Sequence, residues 1–543
     1  MVDRNDGAAM SKGIRQSQST LHTWSGILLG WILFLVFVTG TLAFWREGLN
    51  RYMRPELARI EQPMRVLDGA QRFLTRKAPD AKSWFIAMPN AQVPGAQATW
   101  QPQPKKGERG GRRGGGGRGR RDNQALIGVD GTPTAARDTR GGEFFYRFHF
   151  DLYYLPVIWS RWLVGFASVM MLVAILTGIV THKKIFRDFF TLRRNKGQRS
   201  WLDGHNATAV LALPFHLMIT YTGIVTLMAL LMPWATVANY ADETGLFTTL
   251  FPQAPVVKRT GRPAPLVPLS AIVREAEHRL GGPVGTIDVS EPGDMAARVT
   301  LHRTPASLLN TRASAITYDG TTAMPIWQSP APGGAAATAG AMVGLHAGRF
   351  ADLGLRWIYF LCGVAGTLMV ASGLVLWIVK RRERLPDPTH PHLGFRIVER
   401  LNVAVIGGFP LGIAGLFWAN RLLPLALTGR SRWEVHVLFI IWGAATILSF
   451  ARRSTAVWPV LFGMTGVSLA LLPVYNLFGT QWNVVRSIAA GDLLPMGVDL
   501  TLLVFAAMFL WLARRVARYR PSTGLGRRGR TAVIPMPKME AVA

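Results

Sequence analysis

The chain has 543 residues, 49% of them hydrophobic, with a formal charge of +30 and a single cysteine. A soluble chain this basic would point to nucleic acid. Here the apolar residues gather into runs long enough to cross a bilayer, so the charge belongs to the loops of a polytopic membrane protein and a nucleic-acid partner is set aside. The lone Cys362 excludes intrachain disulfides, thiolate zinc sites, iron–sulfur clusters and C-x-x-C-H haem attachment, which leaves histidine and oxygen as metal ligands.

Eight spans are expected, at about 24–45, 157–181, 206–232, 353–379, 401–424, 433–450, 455–477 and 494–513. The first follows a basic N-terminus but is longer than a signal-peptide core and has no A-x-A site, so it reads as a retained signal anchor. Arg4, Lys12 and Arg15 precede it. Lys183 to Arg199 fill the loop after the second span, Lys380 to Arg384 follow the fourth, Arg452 and Arg453 the sixth, and Arg514, Arg515 and Arg518 the eighth. All of these fall on one side if both termini are cytoplasmic.

Two long polar segments then lie outside. The first, roughly 46–145, contains KKGERGGRRGGGGRGRR at Lys105–Arg121, whose glycines and like charges preclude a packed core and predict a solvated, disordered loop. The second, about 233–345, reads as folded. Pro268–Leu280 has helical apolar spacing, and the strand-like ARVTLHR and SAITYDGTTAMPIW follow, the latter with a D-G turn. In the bundle from 401 onward, Asn420 and Arg421 interrupt the fifth span and Tyr475 and Asn476 close the seventh, with no catalytic constellation. No P-loop, dinucleotide fingerprint or nucleophile elbow is present.

The chain repeats itself. His22 precedes Thr39-Gly40 by seventeen residues, and His205 precedes Thr222-Gly223 by the same distance. Arg161-Trp162 precedes Thr177-Gly178 by sixteen, as Arg356-Trp357 precedes Ser372-Gly373. His149 and His346 stand upstream of those arginines, and GVDGT (128–132) mirrors TYDGT (317–321). The unit is span, outside segment, span, used twice in parallel. The Thr/Ser-Gly pairs suit close helix packing in lipid. His22 and His205 then sit at the cytoplasmic ends of spans one and three, and His149 and His346 at the outer ends of spans two and four. A pseudo-twofold axis along the membrane normal brings each like pair together. His182 and His216 have no repeat mates.

Neutral imidazole is a good haem-iron ligand, and two helices clamp one macrocycle from both faces. With no thiolate to offer, b-type haem held by two histidines is the centre this inventory best permits, against the bland reading of each histidine as an interfacial polar residue. Eleven residues separate His205 from His216, placing them on one helix face about 16 Å apart. Arg161 and Arg356 near the outer mouth either neutralise haem propionates or snorkel beside Trp162 and Trp357. His278, His302, His390, His392 and His436 read as structural or solvated, His436 without a partner.

LHTWSGILLG (21–30), FHFDLY (148–153), DGHNATAV (203–210) and GLHAGRFADLGLRW (344–357), with SGLVLWIVKRR (372–382), resemble the PepSY-associated transmembrane family of bacterial inner-membrane proteins over about residues 18–385. YDGTTAMPIWQ (318–328) looks like the end of a PepSY module. Some members resemble di-haem b-type cytochromes that reduce ferric siderophores. By position, the resemblance implies haem ligation by His22, His149, His205 and His346, and two b haems. His182 and His216 remain alternative ligands.

The expected fold is therefore an all-α polytopic membrane protein with a duplicated TM–periplasmic domain–TM repeat and small α+β PepSY-like periplasmic domains. Its parts are a cytoplasmic N-terminus (1–23), repeat one (24–182), a basic loop (183–204), repeat two (205–380), a linker (381–400), a four-span bundle (401–515) and a basic tail (516–543). The expected function is electron transfer across the inner membrane, from a quinol or cytosolic donor to a periplasmic acceptor such as a ferric siderophore, which makes the protein a transmembrane oxidoreductase of the ferric-chelate reductase type. Two rivals stand beside it: a non-catalytic PepSY binding or regulatory protein with the spans as anchors, and a transporter.

Overall fold

The structure is a computed structural model, and it describes residues 4–57, 62–90, 95–104, 123–128, 130–181, 193, 197–240, 243–250, 252–310, 314–387, 389–481 and 483–518. Among the described residues, seven helices are long and apolar enough to cross a membrane, and the count is eight if a bent pair is taken as one span. The chain is a multi-pass membrane protein. The Lys105–Arg121 run and most of the basic loop after the second span lie outside the described residues.

The first repeat begins with α1 (Arg4–Ala43), whose Gly13–Ala43 part is the first span, and turns into α2 (Arg46–Tyr52). After the first extramembrane segment come α4 (Gly141–Asp151) and the second span, α5 (Val157–Thr181). The third span differs from the expected straight helix at 206–232. It is α6 (Gln198–Leu211) followed by α7 (Leu213–Thr226), bent by 68°. Pro214 opens α7; it has no N–H to give to the preceding turn and its ring crowds the carbonyl four residues back, so the helix breaks there. His205 and His216 consequently lie on different helices, not on one face. The second repeat ends with α9 (Gly334–Ala347) and the fourth span, α10 (Leu353–Arg382). α1 packs between α5 and α10, α6 packs on α10, and α7 packs on α5 and α9, which closes a four-helix core.

The two extramembrane segments meet in one seven-stranded antiparallel sheet, ordered β3-β2-β1-β4-β5-β6-β7. Its first half comes from the segment after the first span: α3 (Pro63–Lys77), β1 (Ser83–Ala87), β2 (Ala96–Gln101) and β3 (Gln124–Ile127). The second half is α8 (Leu269–Leu280), β4 (Val284–Ser290), β5 (Arg298–Arg303), β6 (Ala315–Asp319) and β7 (Pro325–Gln328). The halves join at β1 and β4, where Ser83 pairs with Ser290 and Ile86 with Ile287. In β1, Trp84 and Ile86 alternate inward against Ile287 and Val289 of β4, and the apolar faces of α3 and α8 (Val66, Leu67, Ala70; Ile272, Val273, Ala276) cover them. The mirrored D-G sequences form the same turn twice. Asp130 accepts from Thr132, and Asp319 accepts from Thr321, through both backbone N–H and hydroxyl.

The C-terminal bundle consists of α11 (Leu393–Leu422), α12 (Arg430–Ala451), α13 (Ser454–Gly479) and α14 (Leu493–Ala517). α11 starts inside the stretch read as linker, where His392 caps it by accepting from the Phe395 N–H. It carries a π-helical turn at Val403–Gly407 and is buried almost throughout from Asn402 to Arg421, more fully than its three bundle neighbours, so this part is the axis of the bundle. Asn420, Arg421 and Asn476 are not stray interruptions. Arg421 donates to Asn476 and to the Tyr52 carbonyl at 2.8 and 3.0 Å, while Tyr52 and Asn476 donate to Asp499 at 2.7 and 2.9 Å. With the Arg51–Asp492 ion pair, this seam fastens α2 to the bundle at the sheet-bearing end of the molecule.

Candidate functional site

Four histidines share one environment. The Nδ1 of His22 lies 2.8 Å from the Ala174 carbonyl, that of His149 2.7 Å from Val36, that of His205 2.9 Å from Met369 and that of His346 3.0 Å from Ile219. A carbonyl only accepts, so Nδ1 carries the proton in each ring and Nε2 carries the lone pair. A carbonyl against Nδ1–H fixes the ring's orientation and makes Nε2 the more basic atom, as it does for imidazoles that ligate metals.

The repeat explains why all four are alike. Each accepting carbonyl stands three residues before a Thr/Ser-Gly pair: Val36 before Thr39-Gly40, Ala174 before Thr177-Gly178, Ile219 before Thr222-Gly223 and Met369 before Ser372-Gly373. The hydroxyls bond back into their own helix, as Thr39 does to Leu35 at 2.7 Å and Ser372 to Met369 at 3.0 Å. The glycines seat the rings. A Cβ on Gly40 would stand 2.5 Å from His149, on Gly223 2.9 Å from His346, on Gly373 3.1 Å from His205 and on Gly178 3.4 Å from His22. The pairs expected to serve helix packing thus serve imidazole packing, and reciprocally: each span of a repeat seats the histidine of the other span.

The like histidines then meet across the repeats. His22 and His205 have ring centroids 6.3 Å apart, and His149 and His346 are 6.1 Å apart. The first pair lies toward the end opposite the sheet and the second lies at the sheet-bearing end, since His22 and Val36 are fourteen residues apart on α1, about 21 Å of helix rise. His149 and His346 are part-buried, and both pKa values fall below the usual histidine range, His346 to about 4. Burial is the larger cause for each, with the charge of His149 adding to the effect on His346. Their rings are therefore neutral, the form that ligates metal.

The pairs fit a bis-imidazole centre. Two metal–nitrogen bonds of about 2 Å, plus the short distance from nitrogen to ring centre on each side, place ring centroids about 6 Å apart. Among the described residues, no three His, Cys, Asp or Glu side chains gather around a metal position. The two imidazoles of each pair could hold a metal centre that brings its remaining ligands with it.

The remaining candidates are placed less simply. His182 lies outside the described residues. His216 is 1% exposed and packs against Phe37 and Gly366; the carbonyls of Cys362 and Ala209 lie beside it, but neither makes a well-formed hydrogen bond to its ring nitrogens. Arg161 pairs with Asp151 at 2.9 Å and lies over Phe150, and Arg356 donates to the Ala351 carbonyl at 3.2 Å and lies over Trp45. Both stand at the sheet-bearing end of their spans. His302 pairs with Asp288 and His390 with Asp387. His436, expected without a partner, hydrogen-bonds the Tyr154 hydroxyl and stacks on its ring.

Residues 19–380 match the family described as PepSY-associated TM region. The chain belongs to that family. A Pseudomonas aeruginosa protein described as uncharacterized is 27% identical to it over 376 residues, covering 66% of this chain and 92% of the relative. The family region ends at the fourth span, so the bundle from Leu393 onward lies beyond it. Sequence reading missed the four carbonyls because a backbone acceptor leaves no residue type to find. The Thr/Ser-Gly pair three residues on is the mark that locates them.

Proposed function

We propose that this chain is a b-type di-haem electron carrier of the bacterial inner membrane, one haem held by His22 and His205 and the other by His149 and His346. The observation that carries this reading is the pair of ring separations, 6.3 and 6.1 Å, between imidazoles whose Nδ1 atoms all face backbone carbonyls. Each bound haem would supply a one-electron ferric/ferrous couple. The chain's own residues do the remaining work. Carbonyls of Ala174, Val36, Met369 and Ile219 fix the tautomer and orientation, Gly178, Gly40, Gly373 and Gly223 give the rings their seats, and the apolar helices exclude water from between the sites. Arg356, and Arg161 beyond its pairing with Asp151, would offset propionate charge at the sheet-bearing mouth, and His216 would serve as a buried relay or replacement ligand.

The two sites near opposite ends of the core suit transfer across the bilayer. In this reading a quinol or cytosolic donor reduces the site at His22 and His205. The site at His149 and His346 then reduces an acceptor on the periplasmic, sheet-bearing side, in the manner of a ferric siderophore or similar iron chelate, with both termini cytoplasmic. The test is a dithionite-reduced minus oxidised spectrum of protein purified from haem-replete cells, with haem counted per chain. Two b-type haems are expected, falling to one in His22→Ala or in His149→Ala. A chain without a b-type band would end the reading.

A further inference from the structure

The C-terminal bundle lies beyond the family region and contributes none of the four paired histidines, yet side chains of α11 and α12 meet one histidine-bearing helix and the residues that lead into it. The approach to α4, which carries His149, is bonded to α12 and α11. The Thr139 hydroxyl donates to Glu434, Ser431 donates to Asp138 at 2.8 Å, Arg430 donates to the Asp138 carbonyl at 3.1 Å, and Arg137 donates to the Asn420 carbonyl. Glu434 is 1% exposed and also accepts from Asn420 and Arg430. Along α4, Phe144, Phe145 and Phe148 are buried. Phe148 stacks on Phe409 at 5.7 Å, and Phe145 meets Phe417 at 6.1 Å.

Past His149 the chain takes a conformation that L side chains resist: Leu152 and Tyr153 have φ of 47° and 50°. Contacts to α12 hold it there, with Tyr153 stacked on Phe439 and the Tyr154 hydroxyl bonded to His436. The mate helix α9, which carries His346, ends without this help. Its left-handed residue is Gly348, with φ of 60°, and its buried residues are the glycines Gly340 and Gly344.

We propose that the C-terminal bundle is a positioning clamp for His149, which holds that imidazole against Val36 and makes the sheet-end pair rigid on one side only. Its effect on a haem rests on the di-haem reading. The clamp itself is a property of α4. Thr139, Glu434, Tyr154 and His436 are positioning residues that act through α4 and touch neither imidazole of the pair.

The test uses the full-length protein in detergent and the double variant Thr139→Ala/Tyr154→Phe, with Tyr154→Phe alone as the milder change at an exposed hydroxyl. Amide hydrogen exchange is followed in peptides covering 141–151 and 334–347. Loss of the three bonds, one of them the Gly141 N–H to the Thr139 hydroxyl at 3.0 Å within the start of α4, is expected to speed exchange in α4 by about tenfold or more and to leave α9 unchanged, with a smaller change in the same direction for the single variant, which removes a bundle contact only. In haem-loaded, reduced protein, carbon monoxide is expected to bind one of the two haems in the double variant and neither in the wild type. Unchanged exchange in α4, or equal acceleration in α4 and α9, overturns the clamp. Faster exchange in α4 without carbon monoxide binding overturns its effect on the ligand. Wild-type protein without haem ends the di-haem reading, and the exchange comparison then decides the clamp alone.

Discussion

His149 donates its Nδ1 proton to the carbonyl of Val36 at 2.7 Å, on the helix that also bears His22. Val36 belongs to the first span and His149 precedes the second, so the bond ties the two spans of one repeat together at the sheet-bearing end. The bond from His22 to Ala174 ties the same two spans at the other end. The second repeat does both again through His346 to Ile219 and His205 to Met369. Each repeat is thus laced at both ends by imidazoles that face the other repeat.

The glycine seats predict a graded series. Gly40→Ala puts a methyl 2.5 Å from His149 and forces the ring off Val36, whereas Gly178→Ala meets His22 at 3.4 Å, a contact the ring absorbs with a small shift. Haem counted per chain should fall from two toward one in Gly40→Ala, fall less in Gly223→Ala and Gly373→Ala, and stay near two in Gly178→Ala. Equal loss at Gly40 and Gly178 would show that the glycines serve the helices and not the rings.

The pairs differ in ring orientation. The planes of His22 and His205 cross at 74°, and those of His149 and His346 at 35°. Near-perpendicular axial imidazoles give a strongly anisotropic ferric low-spin signal, and more nearly parallel ones give a rhombic signal. If each pair holds a ferric haem with these ring planes kept, electron paramagnetic resonance of the oxidised protein should show one of each, and His346→Ala should remove the rhombic one. Two identical signals would contradict the geometry.

Glu434 accepts from Thr139, Asn420 and Arg430 while only 1% exposed. Glu434→Ala strands the buried Arg430 guanidinium and is expected to cost about 3–5 kcal/mol, read as a large drop in thermal midpoint in detergent. Glu434→Gln keeps an acceptor for Arg430 and should cost less. A Glu434→Ala protein as stable as the wild type would show that the seam does not hold the bundle.

The spans, the duplication and the pairing of like histidines were legible because each depends on residue types at fixed spacing. Hydropathy located the spans and His22, His149, His205 and His346 recur in register. The helix in Pro268–Leu280 and the strands on either side of the Asp319-Gly320 turn were legible from periodicity. Three things were not. The bend at Ala212 depends on one proline within an unbroken apolar run, and hydropathy does not register it. The joining of β1 to β4 is a pairing between segments 200 residues apart, set by the packing of two half-sheets and by no local signal. The grip of Glu434 on Thr139 links residues 295 apart in sequence, neither of which stands out in its own neighbourhood.

If the two imidazole pairs hold two haems, as proposed, their loss is countable. The most direct measurement is the haem-to-protein ratio, by pyridine haemochrome, of wild-type protein, His149→Ala, His346→Ala and the His149→Ala/His346→Ala double variant, all from haem-replete cells. Two b-type haems per chain are expected in the wild type and one in each of the three variants, because in the di-haem reading both histidines serve the same centre. No haem in the wild type, or two in the double variant, would contradict it.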